Sequence, residues 1–381
     1  MEFDFTALLL GLPIAFALGW LASRLDLRQM RVENRQSPKA YFRGLNFLLN
    51  EQQDQAIDAF IEAVQNDPDT SELHFALGNL FRRRGEYDRA VRVHEHLLAR
   101  GDLKQTERDR AQHALALDFL KAGLLDRAEA ALGKLEGTAY QQEARLARLA
   151  IYERSRDWAQ ASAVAARLDE TSHGSFEPRQ AHYLCEQAQA SVAAGQTGPA
   201  LDLLSQARKL APQAPRPVIE KAKLLMQQGR SEAALQTLMD LRQAAPQALP
   251  LAASLLAKLA VQSGKQQEVK DWLIQAQEAQ PSIDLVQAIA ELETDPDSAR
   301  QWFVSHLQRE PSLIAASKWL ASENFADPHK HQVVQRAIDR ASGPLMRYRC
   351  AACGFEAKQH FWHCPGCQAW DSYPARRIEE L

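Results

Sequence analysis

Residues 77–90 read LGNLFRRRGEYDRA, and the fold can be read outward from this joint. Gly78 is small enough for one helix to cross another closely, and Phe81 lies three residues on, along the same helix. Gly85 sits where a turn needs a positive φ, which costs glycine little. Ala90 then offers a second small contact on the returning helix. The stretch therefore predicts a helix, a tight turn and an antiparallel helix.

The same joint recurs along the chain. Small or apolar residues at the closest approach fall at Ala56, Ala90, Ala128, Ala161, Ala200, Ala234, Val269 and Ala299, at intervals of 34, 38, 33, 39, 34, 35 and 30 residues. Other positions drift with them. Gly44 and Phe47 repeat the pairing of Gly78 and Phe81, Phe60 and Phe303 fill the large apolar position of the second helix, and Gly123, Gly195, Gly229 and Gly264 repeat Gly85. Pro68, Pro212, Pro246, Pro281 and Pro311 mark where second helices end, because proline lacks the N–H and clashes with the preceding turn. A period near 34 is that of the tetratricopeptide repeat. The expected fold is all-α: an array over 37–342 of eight to nine repeats, the last pair being Leu313–Phe325 with Lys330–Arg340. Stacked repeats share one core and curl into a superhelix whose concave face suits extended peptides or helices. Asn79, Arg82 and Arg83 are candidate partner-binding residues on that face, since guanidinium forks suit carboxylates; a solvated basic turn is the plainer reading.

Four of the five cysteines lie beyond the array, in YRCAACGFEAKQHFWHCPGCQAW, residues 348–370. Cys350/Cys353 and Cys364/Cys367 are two C-x-x-C pairs separated by ten residues, a spacing that lets two knuckles aim four sulfurs at one point. Four thiolates suit one ion of zinc or iron. Residues 343–381 are read as this metal-binding domain. His360 and His363 lie between the knuckles but are surplus to a filled tetrahedron, and the lone Cys185 reads as a small buried residue.

At the other end, Phe5 to Ala22 carries no charge over eighteen residues, about 27 Å as a helix and close to a hydrocarbon core. Glu2 and Asp4 precede it, which disfavours a cleaved signal with its basic leader. The expectation is an anchor over 1–23 and a basic juxtamembrane segment over 24–36. Arg24, Arg28, Arg31, Arg35, Lys39 and Arg43 against Asp26 and Glu33 orient the bulk of the chain to the cytoplasm. That compartment is reducing, so thiolates are favoured over disulfides. Gly11, Pro13 and Gly19 could form a packing face for another span, and a homodimer is one arrangement left open.

Composition removes other classes. With 46% hydrophobic and 24% charged residues the chain is ordered, and a formal charge of −3 gives no general attraction to nucleic acid. Phe355, Phe361, Trp362 and Trp370, flanked by Arg347, Arg349, Lys358, Arg376 and Arg377, have the residue types of a nucleic-acid ribbon; core aromatics are the simpler reading. There is no phosphate loop, no G-x-S-x-G and no H-E-x-x-H, and His94 and His96 point to different helix faces, so the chain reads as a non-enzyme.

A span, a tetratricopeptide array and a rubredoxin-like tail together resemble the lipopolysaccharide assembly protein B family. The resemblance covers essentially the whole chain and is sharpest in NFLLNEQQDQAIDAF, LGNLFRRRGEYDRA and the cysteine stretch. It implies an inner-membrane, single-pass adaptor that restrains lipid A synthesis by promoting proteolysis of the deacetylase LpxC by the membrane protease FtsH. It also implies a lipopolysaccharide-sensing inner-membrane partner acting through the span. The four cysteines would be the metal ligands, with the ribbon docked on the repeats. Two features depart from electron-transfer rubredoxins: the loop between knuckles is shorter, and Gln368 stands where the second knuckle's glycine is expected. A tethered electron carrier is the competing function.

Overall fold

The computed structural model describes residues 16–20, 40, 42–66, 70–168, 175–323 and 328–381. They form two compact units, Met1–Ser155 and Arg156–Leu381. Among the described residues no helix is long and apolar enough to cross a membrane. The predicted span is described only over 16–20, which is helical with Phe16, Leu18 and Trp20 exposed; the rest of it, and the basic segment over 24–36, lie outside the described residues.

In the first unit, α1 (42–49) is followed by α2 (Gln53–Asn66), α3 (Ser71–Arg84), α4 (Tyr87–Ala99), α5 (Gln105–Ala122), α6 (Leu125–Gly133) and α7 (Gln141–Ser155). From α2 on, each packs on the next, and α3 also lies on α5. The small positions set the spacing: Ala56, Ala90 and Ala128 are fully buried, and Phe60 fills the gap across from Gly44. A Cβ on Gly44 would meet the Phe60 ring at 2.9 Å, and one on Gly78 would meet His94 Nε2 at 2.4 Å. Both crossings therefore require glycine.

The second unit continues the pattern with α8 (Trp158–Ala165), α9 (Glu177–Ala193), α10 (Thr197–Leu210), α11 (Pro215–Gln227), α12 (Ser231–Met239) and a single turn, α13 (Leu241–Ala244). Then come α14 (Leu249–Ser263), α15 (Gln266–Ala279), α16 (Ile283–Leu292), α17 (Pro296–Arg309), α18 (Leu313–Ser322) and α19 (Pro328–Ser342). Its core runs without a break from Val218 to Leu292, as expected when neighbouring repeats share one apolar face. The last pair is α18 with α19, though 324–327 are outside the described residues, and Ala299 is only half-buried.

The turns are built alike. Gly85 and Gly123 take φ of 84° and 76°, which lets the N–H of Glu86 return to Phe81 and that of Leu124 to Phe119, each at 2.9 Å, closing two orphan carbonyls of the helix end. The same bond recurs at Gln196, Arg230 and Lys265. Repeats one and four lack the glycine, and there Glu51 and Arg156 hold the left-handed conformation instead, at φ 60° and 58°. Pro212, Pro246, Pro281 and Pro311 each lie two residues past a helix end.

The ribbon after α19 is small. Strands β1 (Tyr348–Arg349) and β2 (Glu356–Ala357) pair antiparallel, Tyr348 opposite Ala357, and carry the first knuckle between them. A single bridge, His363 to Trp370, brackets the second.

Candidate metal centre

The two knuckles are near copies of each other. Cys350 N donates to Phe355 O and Gly354 N to Cys350 O, both at 2.9 Å; Cys364 N donates to Ala369 O at 2.9 Å and Gln368 N to Cys364 O at 2.8 Å. Each needs a left-handed residue at the fifth position of the turn. Gly354 supplies it at φ 78°, and Gln368 adopts it at φ 60° despite its Cβ, so the missing glycine leaves the knuckle intact.

The four sulfurs converge. Sγ of Cys350 and Cys367 are 3.8 Å apart, those of Cys353 and Cys364 are 3.7 Å apart, and all four lie within 4.8 Å of one another. Four sulfurs at about 2.3 Å from a centre in tetrahedral array would stand roughly 3.8 Å apart. Disulfides need about 2.05 Å, and all five cysteines are free thiols. The donor chemistry agrees. Burial raises the Cys350 thiol, but the Ser372 hydroxyl and the N–H groups of Cys353 and Ala352 outweigh it and hold it at about 6. Burial likewise opposes Cys364, whose thiol the N–H groups of Cys367 and Gly366 bring below the usual range. Cys353 has the Phe355 N–H in its favour, yet burial and the neighbouring sulfurs push it up to about 12. Cys367 is also raised. One thiolate per knuckle is favoured and the second is resisted by its neighbours, so a cation at the centre is what allows all four.

His360 and His363 do not join the cage. Nε2 of His360 donates to Tyr373 O at 3.0 Å and burial holds its ring below the usual imidazole range, while His363 stacks on Trp370 at 4.2 Å. Cys185 is fully buried in α9, and burial pushes its thiol well up.

Among the described residues the ribbon's buried core is Tyr348, Cys350, Cys364 and Tyr373, with its own Ala357 and Phe361 and Leu251 of α14 packed against it. It is completed by the repeats. Trp370 stacks on His182 at 4.8 Å and meets Trp158 and Tyr183 edge-on, each at 5.9 Å, and Trp362 packs on the long core of the second unit. Beneath Trp370 runs a buried polar chain. Arg216, 2% exposed, pairs with Glu186 at 2.7 Å and Glu220 at 2.6 Å and directs Nη1 to His182 Nδ1 at 3.3 Å. A guanidinium only donates, so Nδ1 accepts, and Nε2–H donates to Asp371 at 2.8 Å. The ribbon is thereby tied to α9 and α11 beside its second knuckle.

Asn79, Arg82 and Arg83 lie on α3 in the first unit. Arg82 donates to Asp118 at 2.8 Å, to Ala114 O at 3.1 Å and to Asn79 at 2.5 Å. Asp118 also takes the Nδ1–H of the fully buried His94 at 2.5 Å, whereas His96 is exposed. Arg82 and Asn79 thus tie α3 to α5, and Arg83 is exposed. The aromatic residues Trp362 and Trp370 face the repeats, and Arg349 pairs with Glu356.

The sequence has named relatives. Residues 348–373 match the family described as rubredoxin metal binding domain, and 73–109 and 191–259 match tetratricopeptide repeat families. The chain is 31% identical over 386 residues to lipopolysaccharide assembly protein B of Escherichia coli (strain K12), covering 98% of this chain and 99% of that one. It is 28% identical to the protein of the same name from Haemophilus influenzae, over 96% of each. A crystal structure of a tetratricopeptide repeat protein from Parabacteroides merdae covers 67% of this chain at 14% identity and a TM-score of 0.33.

Proposed function

This chain belongs to the lipopolysaccharide assembly protein B family, and from that premise we propose that it is a membrane-tethered adaptor that regulates lipopolysaccharide synthesis. It brings the deacetylase LpxC to the membrane protease FtsH, and an inner-membrane lipopolysaccharide sensor relieves it through the predicted span at Phe5 to Ala22. The observation that carries the reading is the match along 98% of this chain and 99% of a relative with that name. The chemistry of the metal centre supports it. Four sulfur ligands close the shell of zinc or iron and leave no open position for substrate, the mark of a structural site. The repeats supply surface, and the span supplies a shared membrane that raises the partners' effective concentration.

Affinity purification from membranes after mild crosslinking should recover the protease and the deacetylase with the intact chain. Exchanging residues 5–22 for an unrelated span should lose the sensor and keep those two. Recovery of neither protease nor deacetylase would remove the adaptor reading. A second reading, electron transfer by an iron form, draws on the exposure of Cys353 and Cys367 at the cage surface. It requires a reversible redox wave from the purified protein.

A further inference from the structure

The segment Arg376–Leu381 lies across the first helices of two successive repeats. Ile378 N donates to Arg347 O at 2.8 Å, which sets the segment alongside the ribbon's start as a strap. Its two glutamates then reach two different helices. Glu380 accepts the N–H of Ile283, the first residue of α16, at 2.5 Å. Glu379 accepts from the N–H of Leu313, from that of Ile314 at 3.2 Å and from the Ser312 hydroxyl at 2.6 Å, all at the start of α18. The receiving ends share the pattern Pro-Ser-aliphatic, Pro281-Ser282-Ile283 and Pro311-Ser312-Leu313, thirty residues apart. Arg377 adds a fork, Nε and Nη2 each 2.8 Å from the Asp284 carboxylate, with its guanidinium over the Tyr348 ring.

The physical logic is that of peptide capture. The first N–H groups of a helix have no partner within it and sit at the positive end of its dipole, so a carboxylate there is favoured. Adjacent repeats place two such ends at a spacing that adjacent glutamates span, and Asp284 reads the arginine two residues before them. Ile378, Glu379 and Glu380 are half-buried rather than enclosed, and Leu381 is 61% exposed. An open cleft of about 120 Å³ between Pro281, His306, Glu310 and Arg376 adjoins the carboxylates. The fork itself is mostly covered, Arg377 and Asp284 being 19% and 17% exposed, but every contact in the hold is polar, so a second segment with the same charges can replace it group for group.

We propose that the starts of α16 and α18, with Asp284, form a receptor for an acidic peptide of a partner, of the pattern basic-aliphatic-Glu-Glu, which the chain's own strap occupies in cis and must vacate. This does not depend on which proteins the adaptor joins. The strap competes at the effective concentration of a tethered ligand, in the millimolar range for a short link, so a free peptide should bind the intact chain poorly. Glu379 makes the charged contact; at Glu380 burial outweighs the N–H groups of Ile283 and Arg377 and raises the carboxyl, so its protonated form is favoured in the seat and a falling pH does not release the strap.

The test uses the full chain, purified with its metal, and a fluorescent peptide with the sequence of Arg376–Leu381. In the double variant Glu379→Lys, Glu380→Lys the cis strap cannot hold, and the peptide should bind at least about tenfold more tightly than to the unaltered chain. Adding Asp284→Asn should weaken that binding, a peptide with both glutamates replaced by lysine should not bind, and salt should reduce the affinity. Equal affinity for the unaltered chain and the double variant would overturn the proposal, as would no binding to a double variant whose helical melt matches the unaltered chain. If that variant melts early, Arg377→Ala, which removes the fork, the bond to Met346 O and the cover over Tyr348 but keeps both glutamates, is read in the same way.

Discussion

Replacing Cys364 by serine is expected to empty the metal centre and unfold residues 343–381 while the repeats stay helical. Cys364 is fully buried and its thiol is already biased toward the thiolate by two backbone N–H groups, so no hydroxyl can take its place in the cage. Structural zinc sites supply apparent binding energies of roughly 10–16 kcal/mol near neutral pH, far more than this ribbon's four-residue core can provide. Elemental analysis should fall from one metal equivalent per chain toward none, and the tryptophan emission should shift as Trp362 and Trp370 leave the repeats. The far-ultraviolet helical signal should persist, because the long core from Val218 to Leu292 belongs to the repeats themselves. Metal retained at one equivalent would remove Cys364 from the ligand set.

Arg216→Ala should be the most damaging single change within the repeats. Arg216 is 2% exposed and pairs with both Glu186 and Glu220, so its loss strands two carboxylates around a space the guanidinium filled. Breaking a buried pair in this way costs about 3–5 kcal/mol. Exposed pairs such as Arg89 with Glu86 are worth only about 0–1 kcal/mol and make the natural control. The pH dependence has a sign. Burial first, and against Arg216, the Glu220 carboxyl is already raised in the folded chain, so its protonated form is favoured there. The stability linked to its proton is present below the ordinary carboxylate range and is lost as the pH rises through the raised value. Removing Arg216, which pulls that carboxyl down, raises it further, so the variant gains more on acidification and its deficit in urea unfolding should shrink as the pH is lowered from neutral toward 5.

The repeats and the cage were legible because each is written more than once. Ala56, Ala90 and Ala128 recur at a helical crossing, Gly85, Gly123 and Gly264 at a turn, and the cysteines as two matching knuckles. What escaped has no repeat. His182 and Asp371 are 189 residues apart, and Arg377 and Asp284 are 93 apart, so nothing local announces either pair. Arg156 and Gln368 adopt the backbone of a glycine, which residue type alone does not reveal. Arg82 shows the limit from the other side. Its place on the first helix suggested an acidic partner, and it does meet a carboxylate, but that of Asp118 in the following repeat. A basic residue at a groove position cannot be assigned to a ligand until its neighbours are known. The ribbon's seat, implied by family resemblance, has no repeated mark in the sequence; Trp362, Trp370 and Asp371 make it, with Arg377, Glu379 and Glu380 beyond them.

The adaptor account asks the chain to do no chemistry of its own. It holds two proteins at one membrane, and its effect must appear in the lifetime of one of them. The direct measurement is the half-life of LpxC after synthesis is stopped, in cells depleted of this protein and in cells supplied with it again. The account predicts that depletion lengthens the half-life and raises lipopolysaccharide, and that the intact chain restores both while a chain without its repeats does not. An unchanged half-life on depletion would contradict it.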